Sequence, residues 1–184
     1  MLRSRSLLVA LSLLAACSIP LTPQAPVMPP PPVGLKAVAI EKPQNATGSE
    51  LKVNQDGFLS GFFDDRKTTT VPELLEKDLG IELGKRDFRL VPAASGAAPV
   101  LRTVIRRWQP QSSTWAQVTV DLSASLVEPG SGRTLWSVDR SGWIVPTEGS
   151  QNTIDASEKA SRRIAEDLVE GWVVAPPPER PVTP

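Results

Sequence analysis

The chain has 184 residues with 20 basic and 20 acidic side chains, a single cysteine, no histidine and no tyrosine. The lack of histidine excludes a Ser-His-Asp or Cys-His nucleophile pair and removes the usual imidazole ligands of zinc. One cysteine cannot form a disulfide within the chain, so an apolar core must hold the fold. The balanced charge argues against a nucleic-acid binder, which usually has a strongly basic face. Chemistry that uses carboxylates alone stays open.

The first 16 residues have the layout of a secretory signal peptide. Arg3 and Arg5 give a positively charged start, an apolar run covers 7–14, and two alanines precede Cys17. The run is too short to span a membrane, which takes about 20 apolar residues. The four residues that end at Cys17, Leu-Ala-Ala-Cys, resemble the lipobox of bacterial lipoproteins. An ordinary signal peptide with an incidental cysteine is the alternative.

The lipobox resemblance implies where the mature protein is located. Cys17 would become the first residue and carry a diacylglycerol, and each buried methylene of such lipids contributes about 0.8 kcal/mol to membrane anchoring. Ser18, in place of an aspartate, implies sorting to the outer membrane, with the domain facing the periplasm. The lipid is the only attached group that we expect. Loss of Arg3 and Arg5 would lower the basic residues from 20 to 18, which leaves two more acidic residues than basic ones.

A proline-rich stretch, 17–33, separates Cys17 from the first predicted strand. Proline fixes φ and removes an amide donor, so the stretch is predicted to be an extended tether. At about 3.1 Å per residue it would hold the domain roughly 40 Å from the lipid. The folded domain is predicted to occupy 34–173. The proline-rich end, 174–184, is predicted to be a disordered tail, with a ligand for a partner as the alternative.

Residue patterns within 34–173 predict five strands and two helices. The predicted strands are 35–40, 88–91, 100–108, 114–127 and 133–145. The predicted helices begin at caps on Thr70 and Asn152 and end at about Gly84 and Trp172. The fourth strand alternates apolar and polar residues, which is typical of an antiparallel strand with one solvated side. The expected fold is therefore α+β, a mostly antiparallel five-stranded sheet with two helices packed on one face.

Three stretches, in this order along the chain, resemble the TolB amino-terminal-like domain family, which includes CsgG-like and LpoB-like lipoproteins. They are KAVAIEKPQNATGSEL (36–51), TVPELLEKDLGIELGKRDFRLV (70–91) and SASLVEPGSGRTLWSVDRSGW (123–143). The resemblance implies a periplasmic interaction domain rather than an enzyme, and a core position for Trp136. It implies an accessory or adapter subunit of an envelope transport or secretion system. Activation of peptidoglycan synthesis is the alternative.

Two tryptophans are predicted as candidates for partner binding. Trp108 and Trp115 bracket the six-residue loop between the third and fourth predicted strands. Aromatic side chains at the end of a hairpin can form a docking patch. The favoured alternative is a cross-strand pair that stabilises the hairpin.

Two arginines of the third predicted strand are further candidates. Strict alternation places Arg102 and Arg106 on one face with Val104 and Trp108, where the arginines can bind an acidic partner. The favoured alternative is a solvated face neutralised by neighbours such as Asp121. The expected partners are the membrane, through the lipid, and an envelope protein complex or a second copy of the chain. Neither nucleic acid nor a metal is expected.

Overall fold

A computed structural model of the chain describes residues 28–53, 69–111 and 116–176. In chain order, the elements are β1 (Ala37–Ile40), β2 (Gln44–Asn45), β3 (Lys52–Val53), β4 (Thr69–Thr70), α1 (Val71–Lys85), β5 (Arg89–Val91), β6 (Val100–Gln111), β7 (Gln117–Val127), β8 (Thr134–Pro146) and α2 (Thr153–Leu168). A 3-10 turn, Ala93–Ser95, lies between β5 and β6. The signal peptide, Cys17 and Trp115 lie outside the described residues, so the statements about them stay predictions.

Both helices begin at the caps that the sequence predicts. In α1, the hydroxyl of Thr70 accepts the N–H of Glu73, and the Glu73 carboxylate accepts the N–H of Thr70 at 2.9 Å. This reciprocal capping box satisfies two amide groups that the first turn of a helix leaves free. In α2, the side-chain oxygen of Asn152 accepts the N–H groups of Ile154 and Asp155, at 3.0 and 2.9 Å. The start of each helix is thus encoded locally.

Helix α2 ends at Leu168, four residues before the predicted end at Trp172. Its last turn contains no basic residue, and Asp167 lies there. A carboxylate at this end is repelled by the negative end of the helix dipole. Burial raises the pKa of Asp167 above its ordinary value. The chain then turns at Gly171, which has a φ of 74°, and Trp172 returns to the core.

The main sheet has six strands in the order β5-β1-β6-β7-β8, with β2 paired to β6. Strands β6, β7 and β8 are antiparallel, whereas β1 is parallel to β5 and to β6, and β2 is parallel to β6. The predicted α+β class with two helices is confirmed. The prediction of a five-stranded, mostly antiparallel sheet is corrected to six strands of mixed direction.

Connectivity explains the parallel half of the sheet. Helix α1 returns the chain from the end of β1 towards its start, so β5 must run in the same direction as β1. Val91, at the end of β5, and Val100, at the start of β6, are both opposite Ala39. The segment 92–99 therefore only shifts the chain sideways by two strand spacings, about 9.6 Å. Strand β2 escaped prediction because it consists of two polar residues after Pro43.

The apolar rows of the three long strands face the helices. In β7 the buried row is Val118, Val120, Leu122, Ala124 and Leu126. Helix α1 packs on β1 and β5, α2 packs on β6, β7 and β8, and the two helices contact each other. At one end of this layer, Trp136 and Trp172 meet edge to face with ring centroids 5.2 Å apart, and Phe88 packs on Trp172. The predicted core position of Trp136 is confirmed.

Glu73 links the stability of the fold to pH. Its pKa is lowered to about 2, mainly because it accepts the backbone N–H of Thr70 and also because Lys42 donates to it at 3.2 Å. The folded pKa is thus below the ordinary value of 4.5, so the charge stabilises the fold above pH 4.5, and the effect is lost as the pH falls through about 2. We expect Glu73→Gln, which keeps the cap geometry without the charge, to be less stable than the wild type above about pH 4.5. This difference should disappear as the pH falls towards 2.

Urea unfolding at neutral pH, at about pH 4 and at about pH 2 measures this difference. The matched control is Glu76→Gln, which removes a carboxylate from the same helix without touching the cap. If Glu73→Gln lowered the free energy of unfolding by the same amount at all three pH values, the charge of Glu73 would not be the cause of the loss.

Candidate interaction surface

The side of the sheet that faces away from the helices carries a broad polar surface, which we call the outer face. Strand β6 contributes Arg102, Val104, Arg106 and Arg107, β7 contributes Thr119, Asp121, Ser123 and Ser125, and β8 contributes Ser137 and Asp139. These positions alternate with the buried rows, and none of the side chains is aromatic. A polar surface of this kind suits a macromolecular partner better than a small ligand, which usually occupies a concave, largely apolar pocket.

A β-bulge in β6 decides which side chains reach the outer face. Ile105 is opposite Leu122, but Arg107 is already opposite Asp121, so Arg106 is one residue extra on β6. The extra residue shifts the inward and outward alternation by one position. Two successive arginines therefore lie on the outer face.

The same bulge turns Trp108 towards the helices. Trp108 pairs with buried Val120, is 6% exposed, and donates its indole N–H to the hydroxyl of Ser157 in α2 at 3.2 Å. The prediction that Trp108 shares a face with Arg102 and Arg106 is therefore wrong. Docking by Trp108 stays a prediction, and it would require α2 to move.

Asp121 is held between two bulges. Strand β8 also shifts register here, because Gly142 and its preceding residue lie opposite a single residue of β7. Gly142 has a φ of 64°, in the left-handed region that glycine adopts readily, and its N–H donates to Asp121. From the other neighbour, Arg107 forms an ion pair with Asp121, with its Nε 3.1 Å from the carboxylate. The carboxylate, 13% exposed, thus joins all three long strands.

Arg102 and Arg106 reach solvent, but each is paired with an acid of the same chain. Arg102 lies 2.8 Å from Glu41, and both side chains are at least one third exposed. Arg106 donates two hydrogen bonds to Asp139, one of them at 3.0 Å, and this contact lowers the pKa of Asp139 below its usual range. Exposed ion pairs of this kind contribute little to stability. A partner's carboxylate can therefore replace Glu41 or Asp139 at low cost.

A concave site lies at the β5 edge of the sheet, between α1 and β5. The groove has a volume of about 510 Å³, an apolar floor and a charged rim, formed by Ile40, Leu90, Val91, Pro92, Glu73, Glu76 and Lys77. At Gly80 an added Cβ would lie 3.6 Å from a methyl group of Leu90, so the glycine lets α1 approach the strands. Leu90, which lines the groove, is 45% exposed.

Sequence reasoning missed this groove. Ile81 is an apolar residue of α1 outside the buried stripe of Val71, Leu75, Leu79 and Leu83, but it does not line the groove. The floor of the groove could not be foreseen, because it depends on the parallel pairing of β1 and β5.

Within the part of the chain that the structure describes, no helix is both long and apolar enough to cross a membrane. Across residues 28–53, 69–111 and 116–176, no three acidic or cysteine side chains come close enough to share a metal ion.

No family model matches the chain, and no curated protein matches it. Among solved structures, protein XCC0632 from Xanthomonas campestris, described with the family model DUF330, matches with a TM-score of 0.50 at 13% identity. The match covers 78% of this chain and 90% of that one. At such low identity it shows a shared fold and nothing more.

Two other matches have lower TM-scores. PelC from Paraburkholderia phytofirmans, solved as a dodecamer, gives 0.42 at 17% identity and covers 78% of this chain and 93% of that one. Lipoprotein GNA1162 from Neisseria meningitidis gives 0.37 at 16% identity and covers 65% of this chain and 89% of that one. The matched structures thus include a bacterial lipoprotein. The resemblance to the TolB amino-terminal-like family stays a prediction.

The contacts of Asp121 lead to a stability test. We expect Asp121→Ala to lower the free energy of unfolding by about 1.5–3 kcal/mol, because Arg107 and the Gly142 N–H both lose a charged acceptor. The control is Asp139→Ala, which makes the same change on the same face but removes an exposed ion pair, and should leave stability unchanged within error. Urea denaturation measures both variants. An equal loss in the two would show that the double bulge is not held by Asp121.

Proposed function

We propose that this chain is a lipid-anchored protein of the bacterial envelope. Cys17 would attach it to the outer membrane, and the domain would act in the periplasm as a non-enzymatic adapter subunit of a transport or secretion system. The observation that carries the proposal is the lipobox-like sequence ending at Cys17, placed directly before a proline-rich stretch and an α+β domain. Such an arrangement concentrates a binding domain at one membrane.

The outer face supports a binding role. Its arginines, Arg102 and Arg106, are already oriented by Glu41 and Asp139, so their side chains lose little further freedom on meeting a partner. The ion pairs are exposed, so an acidic group of a partner can replace the acid of each pair. Charges at an interface favour a partner of complementary charge over other proteins. An envelope protein with an acidic surface, or a second copy of this chain, has the chemistry to bind here.

Tethering supplies the mechanism without catalysis. A domain that is fixed to a membrane meets other membrane-bound proteins at a raised effective concentration, so a weak contact is enough for assembly. The groove between α1 and β5, with Leu90 on its floor, offers a second contact on the far edge of the sheet. Two separated surfaces on one domain are what an adapter needs to bring two partners together.

The first test concerns the anchor. We expect the protein, made in its own cells, to carry a diacylglycerol on Cys17 and to sediment with outer-membrane vesicles. The Cys17→Ser variant should lose the lipid completely and appear in the soluble periplasmic fraction. Mass spectrometry of the amino-terminal peptide gives the answer directly. A wild-type chain that is cleaved elsewhere and carries no lipid would overturn the anchor.

The second test concerns the outer face. We expect crosslinking of the lipidated protein in its own cells to recover one envelope complex. The Arg102→Glu, Arg106→Glu double variant should lower recovery at least about tenfold, which corresponds to about 1.4 kcal/mol. The matched control is Arg163→Glu, because Arg163 is an exposed arginine paired with Glu166 and Asp167 on α2.

Equal recovery of the envelope complex by the double variant and by the control would exclude the outer face as the docking surface. Recovery of a cell-wall synthase, together with stimulation of that purified synthase by the domain, would favour the alternative function, regulation of peptidoglycan synthesis.

A further inference from the structure

The end of the predicted tether lies against the domain. Residues 28–33, which we call the strap, read Met-Pro-Pro-Pro-Pro-Val. Met28 packs against the core, and its sulfur lies 3.3 Å from a guanidinium nitrogen of Arg140 in β8. Pro32 is buried. The strap therefore makes specific contacts with β8, although the sequence predicts that the domain begins only at residue 34.

The strap lies at the β8 edge of the sheet. Strand β8 is the last strand of the sheet, and Arg140 points to the helix side because it pairs with buried Leu122. Three residues after Met28, the ring of Pro31 lies 3.7 Å from the position that a Cβ on Gly171 would take, just beyond α2. The strap thus extends from the middle of β8 to the end of α2.

The far end of the strap is fastened by the carboxy-terminal segment. Gly34 turns the chain with a φ of 79°. The carbonyl of Leu35 then accepts the N–H of Ala175 at 2.8 Å, and Val174 packs against the core. Both proline-rich segments of the chain therefore meet the domain beside each other.

A run of four prolines suits such a site. Polyproline is extended and stiff before it binds, so little conformational entropy is lost on docking. Proline also has no N–H, so burying Pro32 leaves no amide donor without an acceptor. A chain of flexible polar residues would lose more freedom in the same place.

We propose that the strap binds the surface between β8 and the end of α2, and that it sets the height of the domain above the membrane. The inference rests on the proposed lipid at Cys17. With the strap bound, the chain between the lipid and Met28 has ten residues, 18–27. Release of the strap, residues 28–33, frees six more residues, about 19 Å in an extended polyproline conformation. The strap is thus a two-position spacer built into the fold.

The first experiment tests the docking and needs no lipid. Removal of the signal peptide removes Met1, so Met28 is the only methionine of the mature chain. A 13C-methyl label on methionine in the full mature chain, with Cys17→Ser, therefore gives one NMR signal. We expect this signal to be displaced from its position in a free peptide of the same sequence and to show cross-relaxation with core protons.

Two proline variants provide a matched comparison. In Pro32→Asp a carboxylate would have to be buried, so the strap should detach and the Met28 signal should move to the free-peptide position. In Pro30→Asp the same change falls on an exposed residue of the strap, and the signal should stay. A wild-type signal at the free-peptide position, or an equal response of the two variants, overturns the proposal.

The second experiment measures height on a supported bilayer, by energy transfer from a dye on the domain to dyes in the membrane. We expect lipidated Pro32→Asp to stand up to about 19 Å farther from the bilayer than the wild type and than Pro30→Asp. Equal heights for all three, with a displaced Met28 signal, would show that the strap docks without acting as a spacer. If no form binds the bilayer, the lipid anchor fails instead, and the NMR result still decides whether the strap docks.

Discussion

The whole domain depends on one constraint, the burial of the helix-facing rows of three antiparallel strands in a chain without a disulfide. The row of β7 is the centre of it, since Val118, Val120, Leu122 and Leu126 are fully buried. Burying four such side chains contributes about 6–12 kcal/mol, as much as the whole net stability of a typical domain. The alternation of β7 therefore fixes where α2 must lie, and the position of α2 leaves the other face of the sheet to polar side chains.

Asp121 marks the place where this simple alternation is broken. Bulges in β6 and β8 meet at its carboxylate, which binds Arg107 on one side and the N–H of Gly142 on the other. The bulges send Trp108 into the core and keep Arg106 outside. The same local irregularity thus strengthens the core and enlarges the charged surface, so the packing of the core and the charge of the outer face are coupled at this point.

The sequence predicted what local patterns determine and failed where contacts between distant segments decide. The capping residues Thr70 and Asn152, the alternation of β7 and the core position of Trp136 could all be predicted, because each follows from neighbours in the chain or from a family resemblance. The direction of β1 could not, since an uninterrupted apolar run of four residues fits a parallel strand but is too short to distinguish it from other buried segments. The inward turn of Trp108 was also missed, because the bulge between Ile105 and Arg107 changes the parity of β6 and neither proline nor glycine lies at that point.

The proline-rich segment is another place where composition alone does not reveal which residues contact the domain. Composition alone describes residues 17–33 as one uniform tether, but within the described part of this stretch, 28–33, Met28 and Pro32 pack against the domain. The distinction matters because a lipid on Cys17, as proposed, would fix only one end of the tether. Among the described residues, the contact of Met28 lies beside β8, at the opposite edge of the sheet from the groove at β5. A domain held at the β8 edge would leave the β5 edge, and the outer face between the two edges, open to a partner.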